Sequence, residues 1–183
     1  MLGNVAFGCH SVCLSMGTKE VKFLYTMPFG VCRQRKFINI VPALKYCNYA
    51  IINELEASKL TGIEPTNENL KRISEKLMEL GVKEKVIIHK PDLSTALSAE
   101  GFTALPSFDI PQSDIVGTTG AGDAFCAGSL IGIYDELSDK EILELASSVA
   151  LVSLFASDAT SGVVDEEQIK NFCKNKDRKK ICL

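Results

Sequence analysis

The alternation of strand and helix signals between residues 49 and 88 constrains this chain more than any other feature. Residues 49–52 (Tyr-Ala-Ile-Ile) form an apolar, β-favouring run that ends in the polar pair Asn53-Glu54. Residues 54–60 read as a short helix closed by Gly62. A second helix follows, with Thr66 or Asn67 as its cap and Leu70, Ile73, Leu77 and Leu80 along one face. Gly81 stands at its end, and residues 86–88 (Val-Ile-Ile) make the next strand. Strand, helix and strand with connections of this size predict a parallel sheet covered by helices.

Around this unit the signals are weaker. Residues 21–25 read as a strand, and Phe37, Ile40, Val41 and Leu44 recur with helical spacing across Pro42. Residues 95–97 and 102–105 flank Gly101 as the arms of a hairpin. The glycine-rich segment 117–122 leads into an apolar helical stretch at 124–134. Ser138 and Glu141 have the spacing of a capping box for a helix running to about Phe155, and a last amphipathic helix is expected over 166–174.

The chain has 183 residues, a formal charge of −3 and 46% hydrophobic residues. That apolar fraction and small charge exclude a disordered chain. The slight acidity gives no general electrostatic reason to bind nucleic acid. Residues 174–180 hold five basic residues and one acid, and the expectation is a solvated, frayed terminus. The most apolar stretch, 146–156, is shorter than the roughly 20 residues that span a bilayer, so no membrane partner is expected. Seven scattered cysteines read as free thiols of a cytosolic protein. Cys9, His10 and Cys13 resemble half a metal site, but no second ligand pair follows at a suitable spacing.

The segment that carries chemistry is Gly117-Thr118-Thr119-Gly120-Ala121-Gly122-Asp123-Ala124-Phe125. Small residues let a ligand approach the backbone closely. A helix starting near Gly120 or Ala121 offers unpaired N–H groups at the positive end of its dipole, which suits a phosphate. Asp123, in the first turn, is placed to take a proton from a hydroxyl attacking that phosphorus. The same residues also make an ordinary helix start, since an acid in the first turn is favoured anyway. No Gly-Lys-Ser/Thr follows, so this is not a Walker loop, and the glycine spacing is not that of a dinucleotide fingerprint. Asn53 and Glu56, where a buried strand meets a helix, read either as magnesium-organising groups or as a helix cap and a surface charge.

Taken together, the two segments resemble the ribokinase-like (PfkB) carbohydrate kinases. Gly120-Ala121-Gly122-Asp123-Ala124-Phe125 resembles that family's C-terminal signature, and Asn53-Glu54-Leu55-Glu56-Ala57 its Asn-x-x-Glu motif, in the family's order. The resemblance implies a three-layer α/β/α fold with a mostly parallel sheet, present here in part. It implies Asp123 as catalytic base and the N–H groups of Gly120, Ala121 and Gly122 as the anion hole. Thr118 and Thr119 would lie near the phosphates of ATP, Gly162 near its adenine, and Asn53 and Glu56 near Mg2+, directly or through water. Two positions depart from the family. Gly117 stands where Asp is frequent, and the turn at 90–94 lacks the family's glycines.

The resemblance also implies an organisation. Residues 1–33 are an unassigned leader, 34–174 the C-terminal kinase region, and 175–183 a basic tail. The family's N-terminal portion, with its lid and most sugar contacts, has no counterpart. The activity implied is transfer of the ATP γ-phosphoryl to a sugar hydroxyl. The alternatives are a nucleoside acceptor, or a truncated, non-catalytic nucleotide-binding fragment or subunit. The expected partners are ATP, a sugar, and a second copy or a complementing chain.

Overall fold

The computed structural model describes residues 9–10, 13–16, 19–26, 41–157 and 165–181. The chain divides into two units, one of Met1–Ile88 with Ala96–Phe102, the other of His89–Thr95 with Thr103–Leu183.

In the first unit, β1 (Cys9–His10), β2 (Cys13–Met16) and β3 (Lys19–Thr26) precede β4 (Tyr49–Asn53), α1 (Glu54–Thr61), α2 (Leu70–Glu79) and β5 (Lys85–His89). The strand order is β1-β3-β4-β5, with β2 also on β3. β3 lies antiparallel to β1 and β2 and parallel to β4, where Phe23 faces Tyr49 and Tyr25 faces Ile51. The front of the chain therefore makes the sheet mixed, where a single strand at 21–25 was expected.

β4 and β5 start side by side. Glu84 N–H donates to Asn48 O at 2.9 Å, and the Glu84 carboxylate accepts from the Asn48 amide and from the Tyr49 hydroxyl. Shared starts, with two helices between them, mean that the strands run the same way. Both strands bury their three central residues: Ala50, Ile51 and Ile52, and Val86, Ile87 and Ile88. A strand apolar at every position is buried on both faces, as parallel strands are.

α2 turns Leu70, Ile73 and Leu77 fully inward, as the spacing predicts, while Leu80 is only partly buried. The expected cap differs. A 3₁₀ turn at Asn67–Asn69 precedes α2, and neither Thr66 nor Asn69 makes a side-chain cap bond. Val41–Tyr46 is a 3₁₀ helix and not an α-helix, with Leu44 buried; Phe37 and Ile40 lie outside the described residues. Pro42 lacks the N–H that a longer ladder there would use. Gly81 has φ 124°, and a Cβ on it would sit 2.6 Å from Lys45 Cα, so only glycine fits that turn.

β6 (Leu93–Ser98) and β7 (Gly101–Pro106) are neighbours joined by two residues, which makes them a hairpin. The second unit holds the hairpin's base and three helices: α3 (Ala121–Tyr134), α4 (Asp139–Ser153) and α5 (Glu166–Cys173). α3 and α4 pack very closely. A Cβ on Gly128 would fall 2.7 Å from Ala146 Cα, and one on Gly132 would fall 3.0 Å from Ile142 Cγ1. The Ser138–Glu141 capping box forms as the spacing predicts. Two bonds from Ser138, the hydroxyl first and then the N–H, hold the Glu141 carboxyl below its ordinary pKa.

The basic tail is not a frayed terminus. Asp109 N–H donates to Asp177 O at 2.8 Å and Lys179 N–H to Ser107 O at 2.9 Å, around an antiparallel bridge between Phe108 and Arg178. The Arg178 guanidinium stacks 4.1 Å from the Phe108 ring centre, donates to Pro106 O and pairs with Glu144. Lys176 lies over both Phe155 and Phe172. Backbone pairing and cation–π contacts hold these residues where charge alone predicts solvation. Among the described residues no helix is long and apolar enough to cross a membrane.

Candidate active site

In the first unit, Asn53 ends β4 and caps α1. Its Oδ1 accepts from Glu56 N–H at 2.9 Å, while Glu56 Oε2 accepts from Asn53 N–H at 3.1 Å. The Asn-x-x-Glu motif is thus a capping box. Glu56 is not the surface charge that one sequence reading gave it, for it is only 1% exposed. The box uses one carboxylate oxygen and leaves Oε1 outside it. Magnesium is typically held by one or two carboxylates, waters and substrate phosphates, so this donor set fits the ion. Among the described residues no three His, Cys, Asp or Glu side chains converge as a metal cage.

In the second unit, α3 begins at Ala121, after Gly120 in the left-handed region at φ 86°. The first helical bond runs from Ala124 N–H to Gly120 O at 2.8 Å. Gly122 and Asp123 therefore have no i−4 partner within the helix. Ala121 N–H donates to Thr118 O, a long bond at 3.3 Å. No side chain caps α3, unlike α1, α4 and α5. Thr118, Thr119 and Asp123 are exposed, so a ligand has access to this turn. The segment before it lies against the end of α4, where Val116 and Gly117 N–H both donate to Leu154 O. A Cβ on Gly117 would lie 3.0 Å from Ala156 O, a tight approach that favours glycine there. Gly162 falls outside the described residues.

The sequence pattern does not single out His89. Its ring packs on Phe125, with centroids 4.8 Å apart and planes tilted by 32°. Loss of water lowers its pKa from 6.5 to about 4, against a smaller upward pull from the Asp123 charge. Burial, and then Asp123, push the Cys126 thiol up to about 12, so it behaves as a small apolar group. The available signal was position, since His89 closes β5 and strand carboxyl ends are where open α/β sheets bind ligands.

The His89 shift has a consequence for stability. Between pH 6.5 and about 4 the unfolded chain binds a proton that the folded one refuses, so stability falls as pH drops through that window. Comparing urea unfolding at pH 7 and pH 5 is expected to show His89 contributing a loss of about 2 kcal/mol. His89→Phe is expected to remove that part. An identical pH dependence in the variant would refute the assignment.

Comparisons with known proteins place the chain among kinases of one family. The Arabidopsis thaliana ribokinase is 30% identical over 123 residues, covering 67% of this chain and 32% of that protein. The adenosine kinase of Saccharomyces cerevisiae is 30% identical over 116 residues, covering 61% and 34%. The chain thus spans about a third of the length of each. The structure of Arabidopsis thaliana ribokinase with ribose and ATP superimposes with a TM-score of 0.62 at 26% identity, covering 72% of this chain and 42% of that one. The fold is therefore ribokinase-like. Residues 35–166 match the description "pfkB family carbohydrate kinase", and the chain belongs to that family.

Proposed function

We propose that this chain carries the ATP-handling part of a kinase that moves the γ-phosphoryl of ATP to a sugar hydroxyl. One observation carries the reading: α3 starts without a side-chain cap, after the Thr119-Gly120 turn, with exposed Asp123 in its first turn. The N–H groups of Gly120, Ala121 and Gly122 take the phosphoryl oxygens, and the long Ala121–Thr118 bond is weak enough to yield to an anion. Asp123 accepts the proton of the acceptor hydroxyl as its oxygen bonds to phosphorus and ADP leaves. Thr118 and Thr119 bind near the phosphates, and Gly162 near the adenine. Asn53 and Glu56 hold magnesium, with the Glu56 carboxyl oriented by the box. When bound, magnesium neutralises phosphate charge.

A nucleoside acceptor is the second reading, and the yeast adenosine kinase likeness favours it. A third reading is a nucleotide-binding subunit that acts with a second copy or a complementing chain. A cytosolic setting suits Cys47, Cys126 and Cys173, which form no disulfide among the described residues.

The test incubates the purified protein with Mg-ATP and a panel of sugars and adenosine, following ADP release. Asp123→Asn is expected to cut turnover by about 10²–10⁴-fold while the variant still binds ATP. Turnover untouched by that change would refute Asp123 as the base. ATP binding with no turnover on any acceptor would favour the subunit reading.

A further inference from the structure

We propose that His89 is a positioning residue for Asp123, its ring packing on Phe125 to fix the first turn of α3. The proposal rests on Asp123 being the base. The start of α3 is poorly determined by its own sequence. Gly120 and Gly122 have the widest backbone freedom, Ala121 carries only a methyl, and no side chain caps the helix. The other α-helices with a capping box have a side chain holding their first turn. In α3, tertiary packing has to take that role.

Phe125 is the first large buried side chain of the helix, 5% exposed and two residues after Asp123. Its backbone is held as well, since the buried Ser129 hydroxyl donates to Phe125 O at 2.9 Å. Its ring packs on His89, the last residue of β5. The imidazole thus packs beside the turn that presents the carboxylate.

The chemistry of the ring suits this role. Water loss keeps it neutral at ordinary pH, so it places no cation beside Asp123. A cation there would favour the ionised carboxylate and weaken it as a proton acceptor. Cys126, on α3, stays a neutral thiol, and Lys90, next to His89 in the chain, pairs with Asp92 at 3.3 Å.

Amide hydrogen exchange tests the proposal in the intact chain and needs no turnover. The Ala124 amide closes the first turn of α3, and the Ile142 amide closes that of α4 by donating to Ser138 O. His89→Ala is expected to speed exchange at Ala124 at least tenfold and leave Ile142 unchanged. His89→Phe, which keeps an aromatic face, is expected to restore Ala124 protection. Equal acceleration at both amides, or none at Ala124, would overturn the proposal. A second readout follows the imidazole by NMR, where Asp123→Asn is expected to move the His89 midpoint below about 4. An unmoved midpoint would show that the carboxylate is not held beside the ring, and would overturn the proposal too. Should Asp123→Asn leave turnover intact while the exchange pattern holds, the base assignment fails and the packing role stands.

Discussion

Gly128→Val is expected to destabilise the second unit by about 3 kcal/mol or more, as judged by chemical denaturation. The added Cβ would come 2.7 Å from Ala146 Cα, 3.2 Å from Ala146 N and 3.1 Å from Val149 Cγ2. Two of those atoms are backbone of α4, which cannot step aside by changing a rotamer. Valine also adds two methyls beyond that Cβ and loses χ1 freedom in a helix. Gly128→Ala separates the two effects. Its helix propensity is better by about 1 kcal/mol, yet the same Cβ clash remains, so a smaller net loss is expected. Ala127→Val, on the exposed side of α3, is the control and should change stability little. If Gly128→Val unfolds no more easily than that control, the two helices are farther apart than 2.7 Å implies.

What was legible in the sequence was local. β4, β5 and the buried face of α2 follow from runs and spacings within a dozen residues, and each is where the pattern puts it. The Ser138–Glu141 box has the same character, because four consecutive residues contain the whole interaction. The illegible parts depend on residues remote in the chain. Charge counting sees a basic tail at 174–180, but Arg178 finds Pro106, Phe108 and Glu144, which no local pattern announces. His89 is a lone histidine until α3 brings Phe125 against it. No local pattern announces Gly128 and Gly132, whose meaning depends on Ala146 and Ile142 across the contact. In the candidate site the sequence offered two meanings for Asn53 and Glu56, cap or magnesium group. The structure shows the cap, and that outcome leaves the metal role open to experiment.

Glu56→Gln separates those two roles, because glutamine closes a capping box as well as glutamate does. The chain supplies its own precedent. At the start of α5, Gln168 Oε1 accepts from Asp165 N–H at 3.2 Å, while Asp165 Oδ1 accepts from Gln168 N–H at 2.8 Å. Glu56→Gln is therefore expected to fold with stability within about 1 kcal/mol of the parent. Its amide oxygen keeps the bond to Asn53 N–H, but the negative charge is gone. If Glu56 organises magnesium, ATP affinity measured by calorimetry should fall about 10–100-fold in the presence of Mg2+. In EDTA the variant and the parent should bind ATP alike. Asn53→Ala gives the opposite signature at the level of folding, losing about 1 kcal/mol because the Glu56 N–H loses its acceptor. Equal Mg-ATP affinity in Glu56→Gln and the parent would reduce the motif to the helix cap it visibly is. A selective loss with magnesium present would show that one buried carboxylate both starts α1 and carries charge for the phosphates.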